Sequence, residues 1–559
     1  MTTTFARRVG TALALAATLS FAACARPGAH VTPTDVLRIV ELQDPPGLNP
    51  VITDNADLQD LVPLLHGFLL GVDARGNFTP DLVTRVPSRA NGGISPNGRT
   101  IRYHLRRGVR WHDGAPFDAR DVVFSFSAAT NKRNNVPDRS GFDDVATVTA
   151  RGAYDVEVRL RRAYSPALAT FFSFGANDPY VILPAHLLAK LPDLNTATYN
   201  EHPIGLGPYR LASWSHGSEL VFEADPNFRR GVAKIRRIVV RIVPDSNTAV
   251  TLWQTGDLDY LSVRGFAGSR AMLAGARSVA HARQVLSDHY QFDYVMFNTA
   301  RGPLRERAVR EALVRGIDRE RIERDIRGDL HRPGDGDRLP GQFAYDRAIR
   351  EAPYDPSGAA RLLDAAGWKL HGTVRERGGV PLTLEIVGPS GSSGSERLDV
   401  QLQAELTKLG MRAAIKTYQY NLLFAQNGIY QKGRFDLSFY AWQPGEDADH
   451  SYLFRCDTRP PNGENYGGIC DPAIDRAAAV EIATTDRNVE MRADRDMLRE
   501  LDAQSDLLFL GFDREALFLR DGIVGLSPSV LGHHFWNIET WRFTKGREER
   551  ETRAKRRRS

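Results

Sequence analysis

Only three cysteines, Cys24, Cys456 and Cys470, occur in 559 residues. That excludes a disulfide-framed scaffold, so the core must come from apolar packing. Long apolar runs are missing beyond residue 23, and no later stretch has the length of a transmembrane helix. A dominant sign of charge is missing too, with 73 Lys and Arg against 68 Asp and Glu. Residues 545–558 alone hold eight Lys or Arg and three Glu, a surplus equal to the net +5 of the whole chain. The remainder balances, which removes the case for a nucleic-acid partner. Enzyme signatures are absent as well: no G-x-S-x-G elbow, no H-E-x-x-H and no phosphate loop. His533 and His534 are adjacent, and adjacent side chains on an extended chain point to opposite faces, which argues against a metal site. His112-Asp113 has the spacing of a turn. No catalytic residue, metal ligand or cofactor is expected.

What is present begins with an export signal. Arg7 and Arg8 precede an Ala-rich apolar run ending at Ala23, so residues 1–23 read as a signal peptide. Small residues directly before Cys24 resemble a bacterial lipobox, in which the cysteine is lipidated and becomes the first residue. Ordinary cleavage near Ala23 is the alternative. Residues 24–33 then form a lipidated tether, and the protein sits in the periplasm or on the outer face of the cell membrane. In that oxidising compartment Cys456 and Cys470 are expected to pair, closing a loop of about 14 residues worth about 3 kcal/mol. Residues 545–559 read as a disordered basic tail.

Between these ends the chain alternates strand and helix patterns over lengths that allow two or three domains. In IRYHLRRGVRWHDGAPFDARDVVFSF (101–126), alternating Ile101, Tyr103 and Leu105 predict a strand. Asp113-Gly114 predicts a turn, and Asp118 with Asp121 predicts a capped helix. Residues 145–160 predict a hairpin around Gly152, 58–70 an apolar helix ending at Gly71, and 184–191 a helix. The glycines of HPIGLGPYRL (202–211) lack a following Lys-Ser/Thr and are expected to allow a tight crossing of chains. Residues 305–317 place Val309, Leu313 and Ile317 on one helical face. Residues 382–387 predict a strand, followed by a Gly/Ser loop (388–396), a helix (397–409) and a strand (413–418), an order that predicts parallel pairing. FDLSFYAW (435–442) predicts a buried strand, and the region from 509 to 524 a strand pair.

The segment LRRGVRWHDGAPFDARDVVFSF is similar to the one that marks family 5 extracellular solute-binding proteins of ABC transporters, the dipeptide, oligopeptide and nickel-binding group. HPIGLGPYRL, the FN-to-GIDRERI stretch (297–322), YDP with AARLLDAAGW (354–368) and NGENYGGICDPAID (462–475) resemble further family markers in the same order. The resemblance implies an α/β, two-lobed periplasmic binding protein fold (type II, cluster C-like) with an inserted subdomain and a hinged cleft. Lobe I would combine 34–53, 203–290 and 510–544, the inserted subdomain 54–202, and lobe II 291–509. It implies a non-enzymatic, monomeric lipoprotein that captures a peptide or related small polar solute and delivers it to the permease subunits. The alternatives are a non-peptide solute (metal chelate, opine or oligosaccharide) and a surface sensor or adhesion protein without transport.

The same resemblance points to a ligand loop after the buried strand. Relatives carry a Trp there and, three places later, an Asp that pairs with the peptide α-amine. Trp442 matches. The Asp position is Gly445, and Glu446 and Asp447 follow as substitutes. Asp54 falls in a ligand-edge loop of the relatives, and Tyr440, Asn465 and Tyr466 are further cleft-lining candidates. A cleft of this kind needs apolar walls with a few placed polar groups, because a buried ligand charge must be paired.

Overall fold

A computed structural model describes residues 35–53, 56–137, 139, 141–174, 180–264, 270–340, 342–390, 393–425, 427–443, 450–484, 486–531 and 534–545. The expected signal segment, Cys24, the tether and the basic tail beyond Lys545 lie outside them. Among the described residues, no helix is long and apolar enough to cross a membrane.

The first sheet runs in the order Val36–Glu41, Arg237–Ile242, Glu219–Ala224, Tyr209–Ser215. Its first pair is parallel and the others antiparallel. Leu37 and Ile39 on one strand, and Ile238 and Val240 on its neighbour, alternate into the core, as period-2 patterning requires.

A three-stranded antiparallel sheet, Thr100–His104, Asp155–Leu160 and Val145–Ala150, carries the opening motif. The helix Ala119–Thr130 follows it with the anticipated cap. Asp118 accepts from the Arg120 N–H, and Asp121 reaches back to the Asp118 N–H at 3.1 Å. Trp111 is buried and donates its indole N–H to Asp121 at 3.2 Å. Phe126 meets Phe171 and Phe172 edge-on, the favoured arrangement of aromatic quadrupoles.

His112 ties this motif to HPIGLGPYRL. Its Nδ1 accepts from the Gly205 N–H at 3.1 Å, so the proton sits on Nε2, 3.0 Å from the Gly207 carbonyl. A Cβ on Gly205 would lie 1.7 Å from the Leu65 carbonyl oxygen, and one on Gly207 2.3 Å from that of Leu64. The glycines therefore permit the tight crossing that the sequence suggested.

The largest sheet is organised by two long antiparallel strands, Ala282–Phe297 and Leu507–Arg520. At one end they add Tyr260–Arg264, and helices Ser246–Thr255 and Arg270–Arg277 contribute to the core there. At the other they add Leu437–Trp442, Thr383–Pro389 and Arg412–Tyr418, with a second core built on helices Arg307–Gly316, Pro356–Ala365 and Ser393–Lys408. Thr383–Pro389 and Arg412–Tyr418 pair parallel across the helix between them, as their order predicted. Between the two ends the register shifts, between Asp288 and Phe292 and again between Asp293 and Tyr294. The expected lobe boundaries at 290/291 and 509/510 fall inside these two strands.

Four local expectations need correction. The apolar run 58–70 is helical only as Ala56–Leu65, after which Leu70–Val72 forms a strand. Gly67 lets the chain pass close to Leu206, whose Cβ would be 2.8 Å from an added Cβ, and a continuing helix would not fit that crossing. The strand pair expected at 509–524 is one 14-residue strand followed by the two-residue strand Ile523–Val524. The helix expected at 184–191 is a single turn, Ala185–Leu188, and the one expected from 397 begins at Ser393.

Candidate functional site

The buried strand Leu437–Trp442 lies antiparallel to the second half of Ala282–Phe297, with Tyr440 opposite Tyr294 and Trp442 opposite Phe292. Alternation sends Leu437 and Phe439 into the helical core of this end, and Tyr440 and Trp442 to the other face. On that face the aromatic side chains form a continuous wall. Tyr294 and Tyr440 have ring centroids 5.6 Å apart, Tyr440 and Tyr466 6.1 Å, Tyr430 and Tyr466 5.4 Å, and Phe424 and Tyr430 5.0 Å. The Tyr440 hydroxyl lies 3.3 Å from Glu464 and donates to it. Burial, and then the Glu464 charge, hold the Tyr440 phenol well above its ordinary pKa, so it remains a donor.

Trp442 is half-buried and stands at the end of this wall. Its ring meets Phe292 edge-on at 5.8 Å and His450 edge-on at 5.4 Å. The next residue, Gln443, donates its amide to the Leu531 carbonyl at 3.3 Å, reaching the C-terminal segment. Glu446 and Asp447 belong to 444–449, outside the described residues, as does Asp54. The structure thus places the loop's two flanks, Trp442 and His450, in ring contact.

Tyr440 and Tyr466 are brought together with Trp442 on one face, whereas Asn465 serves the loop itself. Its amide donates to the Arg455 and Ile469 carbonyls at 2.7 and 2.8 Å and accepts from the Ile469 N–H at 3.0 Å. The disulfide Cys456–Cys470 closes this same loop. Asp471 then caps the helix Pro472–Ala483. The bridge and Asn465 together brace the segment that presents Glu464 and Tyr466.

Residues the sequence did not single out surround the site. Tyr290, Asp337, Arg338, His450 and Asp494 form a buried polar network behind Trp442. They are separated by up to 204 positions along the chain, from Tyr290 to Asp494, and no spacing signal joins them. His450 alone stood within reach, directly after residues 444–449. Among the described residues, no group of three or more His, Cys, Asp or Glu is placed to hold a metal ion.

Contacts also join Ser165 to two helices late in the chain. The Ser165 N–H donates to the Ile482 carbonyl at 3.1 Å, and its hydroxyl donates to Glu490 at 2.9 Å. These contacts link residue 165 to the helices Pro472–Ala483 and Arg487–Gln504.

Comparison with known proteins places this architecture. Residues 77–463 match the model for bacterial extracellular solute-binding proteins, family 5 middle. Protein XP55 of Streptomyces lividans is 27% identical over 467 residues, covering 83% of this chain and 81% of the relative. The structure of the oligopeptide-binding protein AppA from Bacillus subtilis in complex with a nonapeptide superposes with a TM-score of 0.76 at 20% identity, covering 91% of this chain and 99% of that one. The structure of NikZ from Campylobacter jejuni in complex with Ni(L-His) gives a TM-score of 0.76 at 25% identity, covering 91% and 100%. The fold is that of two-lobed binding proteins.

Proposed function

Because the chain belongs to the bacterial extracellular solute-binding proteins of family 5, which are non-enzymatic partners of ABC permeases, we propose that it captures a peptide or related small polar solute in the cleft beside Trp442. The two long strands serve as the hinge, and lobe I (34–53, 203–290, 510–544) with its inserted subdomain (54–202) closes on lobe II (291–509). The observation that carries this reading is the half-buried Trp442, set on an aromatic wall at the seam of the crossing strands and directly before an acidic loop. Apolar walls with a few placed polar groups are what a solute cleft requires. Trp442, Tyr440 and Tyr466 supply the wall. Glu446 or Asp447 pairs with the cationic end of the solute, Asp54 lies at the cleft edge, and Asn465 stiffens the wall from behind. Affinity comes from closure of the lobes around the solute.

Cys24 carries the lipid that holds the mature protein at the membrane, and the basic tail is a solvated end. A fatty-acid probe labels the wild type and not Cys24→Ser; equal labelling of both contradicts the anchor. The ligand loop is tested by thermal shift with a panel of di- to pentapeptides and a nickel–histidine chelate. A peptide-induced shift that is lost in the double variant Glu446→Gln, Asp447→Asn supports the acidic loop, and an undiminished shift contradicts it.

A further inference from the structure

Beside the network behind Trp442 lies a cavity that the solute-binding reading does not use. Its volume is about 70 Å³. One ordered water needs roughly 10–15 Å³, so there is room for a small organic group. Residues 333–338 form one side of it. Ile349, Leu498 from the helix Arg487–Gln504 and Phe512 from the strand Leu507–Arg520 are buried and supply apolar walls. Gly334 presses onto that strand: a Cβ there would lie 2.4 Å from the Phe512 ring. Tyr345 and Asp346 are half-buried and Arg350 is exposed, so the cavity is reached from solvent on their side.

One side chain of the lining has an unused acceptor. Asp337 is 0% exposed. Arg338 Nη1 donates to His450 Nε2 at 2.9 Å, and a guanidinium has donors only, so the imidazole proton sits on Nδ1. That proton is donated to Asp337 Oδ2. Asp337 Oδ1 has no hydrogen-bond partner among the described residues, and Arg338 Nε, 3.7 Å away, is beyond hydrogen-bond range. Burial works against a charge on Asp337. The Arg338 guanidinium and the His450 hydrogen bond outweigh it and hold the carboxyl below its ordinary pKa, so Oδ1 belongs to a carboxylate at neutral pH. A buried carboxylate oxygen without a donor is costly and rare. The other charged groups of the lining are committed elsewhere. Asp335 accepts from Arg319 at 2.5 Å and from Arg350 at 3.3 Å, Asp346 accepts from Arg499 at 2.5 Å, and Arg338 donates to Asp494 at 2.9 Å.

We propose that this cavity binds a small primary alkylammonium group, whose N–H donates to Asp337 Oδ1 while its alkyl carbons lie against Ile349, Leu498 and Phe512. An ammonium brings both the charge and the donors that the open oxygen lacks, and a short alkyl chain covers the apolar walls. An anion would be repelled by Asp337. The site is separate from the contacts proposed around Trp442 and does not depend on them.

Isothermal titration of the mature protein with methylammonium and n-butylammonium chloride, at fixed ionic strength, tests it. Saturable one-to-one binding is expected, tighter for n-butylammonium because of the apolar walls. Tetramethylammonium carries the charge without an N–H and should bind about tenfold more weakly or worse. Asp337→Asn keeps the shape and removes the charge, and should weaken n-butylammonium by about tenfold or more. Gly336→Ala leaves the network intact. Its methyl enters the lining with Ile349 as nearest neighbour at 4.0 Å, and the lost space should weaken n-butylammonium about fivefold or more. Should Asp337→Asn fail to fold, Gly336→Ala decides. No saturable binding of either amine, equal binding of tetramethylammonium, or an unaltered affinity in Gly336→Ala overturns the proposal. Crystals soaked in n-butylammonium fix the location. An amine nitrogen within hydrogen-bond distance of Asp337 Oδ1 supports it; water alone at that oxygen, or an amine seated only beside Trp442, overturns it.

Discussion

Phe292 and Trp442 are register partners on adjacent antiparallel strands, and their rings meet edge-on with centroids 5.8 Å apart. One belongs to the crossing strand Ala282–Phe297 and the other stands two residues before the acidic loop. In the proposed function, this pair joins the strand proposed as hinge to the loop proposed to meet the solute. Trp442→Ala is expected to weaken peptide binding tenfold or more, about 1.4 kcal/mol, as for a buried aromatic anchor. Trp442→Phe keeps part of the edge contact and loses less. Fluorescence-polarisation titration with a labelled peptide ranks the three proteins; equal affinities would remove Trp442 from the site.

Loss of the Cys456–Cys470 bridge should lower stability by about 3 kcal/mol in the chain-entropy account of a 14-residue loop. Urea denaturation of Cys456→Ser, Cys470→Ser measures it, and dithiothreitol should move the wild type by a similar amount. Because the bridge braces the loop with Glu464 and Tyr466, peptide affinity falls as well. An unchanged midpoint contradicts the bridge's structural role.

Gly205→Ala places a methyl 1.7 Å from the Leu65 carbonyl oxygen, and Gly207→Ala one 2.3 Å from that of Leu64. Neither backbone can retreat without opening the crossing between residues 205–207 and the end of the helix Ala56–Leu65. Each variant is expected to lose more than about 4 kcal/mol or to fail to accumulate as soluble protein. Gly217→Ala is the control. Its φ is +68° and nothing lies within 4 Å of the added methyl, so only the left-handed backbone cost of roughly 1–2 kcal/mol applies.

Stability should fall as pH rises through neutrality. Burial pushes Glu323 up to about 7, with the Arg327 charge opposing and Asp293 adding to the rise. Burial, reinforced by Glu396, pushes Asp399 up to about 7, and neither carboxylate oxygen of Asp399 has a hydrogen-bond partner. These acids hold their protons in the fold and release them near pH 4 when unfolded. Their contribution is therefore full below about pH 4 and is lost as pH climbs through about 7. Opposing this at low pH, burial lowers His66 and His289 to about 4, so their contribution is lost as pH falls from 6.5 toward 4. The urea midpoint should be higher at pH 6 than at pH 8.5, and Asp399→Asn should flatten the alkaline decline. A midpoint that rises toward pH 8.5 contradicts this assignment.

Much of the fold was legible because short-range rules and tertiary context agree there. Asp118 and Asp121 sit three apart before an apolar stripe, and they cap that helix. The parallel pair Thr383–Pro389 and Arg412–Tyr418 follows from strand, helix and strand in sequence. Legibility failed where tertiary context overrode the local pattern. Residues 66–70 are apolar enough to continue a helix, but the crossing at Leu206 turns them aside. The pattern of 509–524 predicts a strand pair where the 14-residue strand Leu507–Arg520 forms, because an almost fully buried strand loses the alternation that marks strands. At the site, Trp442 and the disulfide were visible as motif and pairing, and the aromatic wall only in part. The network of Tyr290, Asp337, Arg338, His450 and Asp494 had no local signal, since its members meet only when four distant segments pack.

The central claim is capture of a small polar solute beside Trp442. Isothermal titration of the mature protein with individual di- to pentapeptides tests it most directly. The account predicts saturable one-to-one binding of at least one peptide, with a negative heat-capacity change from apolar burial and a tenfold or greater loss of affinity in Trp442→Ala. No saturable binding by any peptide at millimolar concentration, or binding that is indifferent to Trp442→Ala, would contradict it.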